Sequence, residues 1–141
     1  MHADAVVIGA GIHGCSAALH LGRAGISAIV LEQAYPGRHA SGVNAGGVRR
    51  LGRHPAEIPL SVAAMGFWLN MEDFLGQDCG FRRTGQVKVA EDESEMEGLR
   101  QRVAQLRSLG FSHEEIIDQD ELRSLVPAVS DHCVGAIVCR D

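Results

Sequence analysis

The hexapeptide Gly9-Ala10-Gly11-Ile12-His13-Gly14 lies between a short strand-forming run, Ala5-Val6-Val7-Ile8, and a helical pattern that stops at Gly25. A second β-branched run, Ala28 to Leu31, follows, and an acid, Glu32, closes it. G-x-G-x-x-G alone is a weak signal. Set between a strand and a helix, with an acid at the end of the next strand, it specifies a βαβ unit built to hold a dinucleotide.

Each glycine has a physical task in that reading. Gly9 lets the chain leave the strand in a tight turn. Gly11 lacks the Cβ that would hold the backbone away from a pyrophosphate, and Gly14 lets the helix approach the strands. The helix beginning near Ile12 and His13 turns unpaired N–H groups and the positive end of its dipole toward the phosphates. Glu32 can accept hydrogen bonds from an adenosine ribose. Gln33 follows it rather than an arginine, which argues against a 2′-phosphate.

Composition narrows the class further. The chain has 141 residues, is 45% apolar and carries a formal charge of −5, which suits a globular α/β protein and not a nucleic-acid surface. No apolar run approaches the roughly 18 residues of a membrane span, and the first strand starts too near Met1 for a signal peptide. A cytoplasmic location is expected, or one at the inner membrane surface through a partner. Cys15, Cys79, Cys133 and Cys139 form no C-x-x-C pair and read as reduced thiols. The seven histidines lack metal-ligand spacing, so no metal site is expected.

Further elements follow from periodicity. A helix is predicted over 12–24 and another from about Pro59 to Leu75, with Ala64, Phe67, Trp68, Met71 and Phe74 at helical spacing. Residues 85–90 alternate as a strand. Residues 92–109 form an amphipathic helix through Met96, Leu99, Val103 and Leu106, 118–126 a short helix, and 134–139 a strand. Val6, Val7, Ile8, Ile29, Val30 and Leu31 read as parallel strands meant to be buried on both faces, with the first helix covering one face and the strands expected beside them lying outside the sequence. After the second strand the chain enters a small-residue segment instead of the usual crossover helix. Within it, Ser41-Gly42-Val43-Asn44-Ala45-Gly46-Gly47 leaves backbone N–H groups accessible and adds two polar side chains, as a loop wrapping the far half of an extended dinucleotide would. Arg49 and Arg50 at its end can hold a carboxylate.

G-A-G-I-x-G-C-S-A-A-L-x-L-x-x-x-G, the closing Glu32 and A-S-G-x-N-A-G-G-V-R together resemble the N-terminal part of the FAD-dependent amino-acid oxidase superfamily. The resemblance is to the branch of D-amino-acid dehydrogenase, glycine oxidase and the sarcosine oxidase β-subunit. It continues through Arg82-Arg83-Thr84-Gly85-Gln86-Val87, the D-x-x-E-L-R-x-L-x-P segment at 118–127 and Gly135-Ala136-Ile137-Val138. It implies a Rossmann-like FAD-binding domain, here its βαβ portion at residues 1–78, followed at 79–141 by the start of an inserted α+β substrate domain. Family members are longer, so the chain is read as an N-terminal fragment. As a fragment it is expected to be inactive and poorly folded by itself.

The resemblance also implies the chemistry. Such enzymes take a hydride from the α-carbon of an amino acid or secondary amine onto FAD and leave an imine that water hydrolyses. The implied partners are that amine and an electron acceptor or partner subunit, with no nucleic acid and no membrane span. Arg49 is the one candidate substrate contact. Two alternatives stand beside this reading: another FAD- or NAD-dependent reductase using the same fingerprint, and a non-catalytic truncated dinucleotide-binding product.

Overall fold

The computed structural model describes residues 2–141. The chain divides into two compact units, Met1–Gly47 and Val48–Asp141. In the first, strand β1 (Ala5–Ile8), helix α1 (Ile12–Arg23) and strand β2 (Ala28–Leu31) follow one another, and the strands pair in parallel with Val6 opposite Ile29. The helix stops where Gly25 adopts φ +77°. There the Gly25 N–H donates to Gly22 O (3.0 Å) and the Ile26 N–H to Leu21 O (2.9 Å), a Schellman closure that satisfies the last carbonyls of the helix.

The two strands are only partly covered, as expected where the neighbouring strands lie outside the sequence. Val6 is 58% exposed, Ile8 88% and Leu31 53%, while Val7 and Ile29 are half-buried. Alternate side chains of a strand point to opposite faces. In this unit α1 contacts both strands. The sheet is two strands wide, so it lacks the double covering that parallel strands usually have.

The second unit opens with a 3-10 turn at Pro55–Glu57, capped by His54, whose Nδ1 accepts from the Ala56 N–H (3.2 Å). Helices α2 (Ile58–Leu69) and α3 (Met71–Leu75) follow. The single helix predicted to Leu75 is therefore two. Asn70 leaves helical geometry at φ −116°, ψ 22°, and its Nδ2 donates to Gly66 O (2.8 Å). An asparagine competing for a carbonyl of the preceding turn is a common cause of such breaks.

Strands β3 (Gln86–Ala90), β4 (Glu115–Asp118) and β5 (Gly135–Cys139) form an antiparallel sheet in the order β3-β5-β4. Helices α4 (Glu93–Ser108) and α5 (Gln119–Leu125) are N-capped by Asp92 and Asp118, whose side chains accept from the N–H groups of Glu95 and Glu121. Strand β4, four residues long and flanked by charge, was not foreseen. The central strand β5 is buried along its whole length, and its alternate residues serve two clusters. Ile137 and Cys139 join Leu51, Ala90, Met96, Leu99 and Val103, while Ala136 and Val138 join Ile117, Leu122 and Cys133. The helix stripe read from Met96, Leu99, Val103 and Leu106 is the buried face of α4.

Leu51 explains why packing divides the chain at Gly47. It lies in the core of the second unit, and close by the Gly52 N–H donates to Glu114 and the Arg53 carbonyl accepts from Arg102. Leu51, Gly52 and Arg53 thus pack with the second unit.

Candidate functional site

The glycine turn is built as its sequence requires. Gly9 sits at φ +97°, a left-handed conformation that a side chain rarely adopts. A Cβ on Gly14 would lie 1.9 Å from the Gly9 carbonyl oxygen and 3.3 Å from Val7 Cγ1, so only glycine permits this approach of α1 to β1. The first bond inside the helix runs from the Cys15 N–H to Gly11 O (2.9 Å). The N–H groups of His13 and Gly14 therefore have no acceptor within the helix.

Ile12 is different. Its N–H donates to Ser41 Oγ at 2.9 Å, and a Cβ on Gly11 would meet the same oxygen at 3.1 Å. Gly11 is the N-cap of α1 and has no side chain, so the hydroxyl from the second loop does the capping. That loop is tied down twice more: the Gly37 N–H donates to Ala10 O (2.9 Å), and a Cβ on Gly42 would lie 2.1 Å from Gly37 O. The sequence placed Ser41 among the cofactor contacts, and the fold brings it to the glycine turn. The Gly37 link was missed, although a glycine after Pro36 is an ordinary turn signal.

Asn44 is occupied within its own loop. Its Nδ2 donates to Ser41 O (2.5 Å) and its Oδ1 accepts from the Gly46 N–H (2.7 Å). This is the Asx-type use of a short amide in a turn, with Gly46 at φ +69°. Gly42, Ala45 and Gly47 are exposed backbone positions beside it.

Glu32 stands just beyond β2 with its carboxylate turned to the glycine turn. Oε2 accepts from the Ala10 N–H (2.9 Å) and Oε1 from the Ala34 N–H (3.1 Å). These two donors, Ala10 first, hold its carboxyl below the usual glutamate value, so it is ionised at neutral pH. Each oxygen keeps a further lone pair for an incoming hydroxyl. Gln33 beside it is exposed, as are Ile12 and His13. Exposed turn backbone, two free helix N–H groups and an ionised acid suit a group carrying both phosphate and ribose, and the residues present fit a dinucleotide.

In the second unit Arg49 is exposed, its carbonyl oxygen within 3.4 Å of Arg53 Nε. The buried carboxylate there is Glu114, whose side chain is fully enclosed. Arg102 donates to it through Nε (2.7 Å to Oε2) and Nη2 (2.7 Å to Oε1), and the Gly52 N–H adds a third bond (2.8 Å). Burial raises the Glu114 pKa, but Arg102 and Gly52 together bring it below the ordinary value. This pair was missed from sequence, since Glu114 lies in a polar run, Ser112-His113-Glu114-Glu115.

These features define a dinucleotide-binding type of βαβ unit. The family model for FAD dependent oxidoreductases matches residues 4–141, and the chain belongs to that family. No curated protein matches. Among solved structures, the chain is similar to a glycine oxidase from Bacillus cereus, with TM-score 0.85, 22% identity and coverage of 99% of this chain and 39% of that one. It also resembles an L-amino acid deaminase from Proteus myxofaciens (TM-score 0.86, 23% identity, 99% and 32% covered). An L-proline dehydrogenase from P. horikoshii is a further neighbour (TM-score 0.82, 21% identity, 98% and 36% covered). At these identities the likeness is one of fold. The chain spans about a third of the length of these structures and corresponds to their N-terminal part.

Proposed function

We propose that the complete protein oxidises the C–N bond of a small amino acid or secondary amine. The observation that carries this is the joint geometry of the glycine turn, Ser41 and Glu32 in a chain of an FAD-dependent family. Activity toward glycine, amino acids and proline, named for three proteins of like fold, supports the choice of substrate class. Bound FAD would supply the acceptor for a hydride, which carries the two electrons of the oxidation. The amine would lose that hydride from its α-carbon and a proton from nitrogen, and water would hydrolyse the resulting imine.

This chain's residues have the binding role. Gly9, Gly11, Ile12, His13 and Gly14 would present backbone to the pyrophosphate, and Glu32 with Gln33 would hold the ribose. Ser41, Gly42, Asn44, Ala45, Gly46 and Gly47 would shape the wall beyond it. Arg49 would hold the substrate carboxylate, residues 1–78 forming the cofactor-binding part and 79–141 the start of the substrate-binding part. The electron acceptor would be oxygen, a quinone or a partner subunit.

The test uses the complete protein. Its absorbance should show oxidised flavin at one FAD per chain. Anaerobic addition of glycine, sarcosine, proline and the D- and L-amino acids in turn should bleach that spectrum with at least one of them. Bound flavin that none of these reduces would overturn the substrate class. A preparation that folds but binds no FAD would overturn the cofactor site.

A further inference from the structure

Among the described residues, two hydrogen bonds tie the 36–47 loop to the glycine turn. The Gly37 N–H donates to Ala10 O (2.9 Å), and the Ile12 N–H donates to Ser41 Oγ (2.9 Å). The first joins backbone to backbone and needs no side chain. The second depends on one hydroxyl, and so on where the backbone of Ser41 stands.

That backbone is held from further along the loop. Asn44 Nδ2 donates to Ser41 O (2.5 Å), while Asn44 Oδ1 accepts from the Gly46 N–H (2.7 Å). A continuous series of contacts therefore runs from Gly46 through Asn44 and Ser41 to Ile12, at the first turn of α1. Within Ser41, a fixed carbonyl fixes the direction of the Cα–Cβ bond, and with it the reach of the hydroxyl. Asparagine suits this task because its short amide carries both a donor and an acceptor. Aspartate would set an oxygen against the Ser41 carbonyl.

The hydroxyl has little room for error. It lies 3.1 Å from the place a Cβ on Gly11 would occupy, so it is closely seated against the turn. N–H···O bonds fall mostly between about 2.7 and 3.2 Å, so a shift of a few tenths of an ångström away from Ile12 gives up the cap. A hydroxyl that accepts one bond still has its proton to donate. Held in place, Ser41 thus both satisfies the Ile12 N–H and offers a donor beside the free N–H groups of His13 and Gly14.

We propose that Asn44 is a positioning residue for the phosphate end of the cofactor site: through the Ser41 carbonyl it keeps the Ser41 hydroxyl on the Ile12 N–H, and it touches no cofactor atom itself. This rests on the proposed role of the glycine turn and Ser41 in holding FAD. A loop serving only the far half of a dinucleotide would leave the pyrophosphate indifferent to Asn44. The series of contacts to Ile12 makes the pyrophosphate depend on it.

ADP carries the pyrophosphate and the adenosine ribose but no flavin, and can be titrated by calorimetry into the deflavinated complete protein. Asn44→Ala should weaken ADP about fivefold, the usual effect of losing a helix cap, and Ser41→Ala should do the same. In the Ser41→Ala background, Asn44→Ala should change nothing further, because the hydroxyl it positions is already gone. Asn44 is exposed, so its replacement leaves the packing of the unit alone. If Ser41→Ala does not fold, Ser41→Cys takes its place, a thiol being a weak acceptor. Wild-type ADP affinity in Asn44→Ala would overturn the proposal and leave the glycine turn as the cofactor site. An Asn44 effect that persists without the Ser41 hydroxyl would overturn it by showing direct contact. No saturable ADP binding to the wild type would overturn the cofactor reading and this proposal with it.

Discussion

Replacing Gly14 with alanine tests whether the approach of α1 to β1 governs cofactor affinity. The added Cβ would lie 1.9 Å from the Gly9 carbonyl oxygen and 3.1 Å from its carbon. Carbon and oxygen in contact sit about 3.3 Å apart or more, so α1 must withdraw by more than about 1 Å. Both obstructing atoms are backbone, so no side-chain rotation relieves the clash. Overpacking of this kind costs about 1–3 kcal/mol of stability. The withdrawal also carries the N–H groups of His13 and Gly14 out of hydrogen-bond range of a phosphate. Losing one charge-assisted bond costs about 1.5–3 kcal/mol, a ten- to hundredfold weaker FAD affinity.

Gly22 is the control within the same helix. A Cβ there meets nothing within 4 Å, and its φ is not positive. Gly22→Ala should therefore stabilise, by up to about 1 kcal/mol, and leave FAD binding alone. Thermal melting and titration of FAD into the deflavinated complete protein read both effects. A Gly14→Ala protein with the wild-type melting temperature and FAD dissociation constant would refute the reasoning.

In Glu32→Ala the ribose loses its acceptor and the Ala10 and Ala34 N–H groups lose theirs, so the FAD dissociation constant should rise about tenfold or more; an unchanged value removes Glu32 from the site. Glu114→Gln should cost about 3 kcal/mol by leaving Arg102 without its charge partner. Because the folded Glu114 pKa lies below its unfolded value near 4.5, that contribution is complete above pH 4.5 and lost as pH falls through the folded value. Urea unfolding of both proteins should show the gap closing in acid, and a gap that persists would exclude a charged Glu114. Arg49→Lys should raise KM for the amino acid more than the FAD dissociation constant, since lysine cannot form the bidentate fork. Equal kinetics for an amino acid and its amide in the wild type would count against a carboxylate clamp.

What could be read from sequence depended on how far apart the interacting residues lie. The turn at residues 9–14, the Gly25 stop and the caps at Asp92 and Asp118 are local, and their residue types announce them. Ser41 was visible as a polar residue in a small-residue loop, but its partner is the Ile12 N–H, 29 residues away. Asn44 looked equally available, yet its amide is consumed by Ser41 and Gly46. Glu114 was hidden because consecutive polar residues read as a solvated face. Only the arrival of Arg102 and Gly52, from distant parts of the chain, makes its burial tolerable.

Burial of a strand is the least local of these properties, and two runs of like composition differ in it. Val6 to Ile8 and Ile137 to Cys139 are comparably apolar. The second run is enclosed because β3 and β4 flank it and alternate residues pack with α4 and α5. The first has one neighbouring strand and contact with one helix, and Val6 and Ile8 stand exposed. The glycine turn is nonetheless complete, since it depends on contacts that β1, α1 and the 36–47 loop make among themselves: Gly14 against Gly9, Ser41 on Ile12, Gly37 on Ala10 and Glu32 on Ala10. None of the four involves an exposed face of the sheet. The geometry that would receive the cofactor is therefore set within the first unit, whereas the stability of its strands depends on what covers Val6, Ile8 and Leu31.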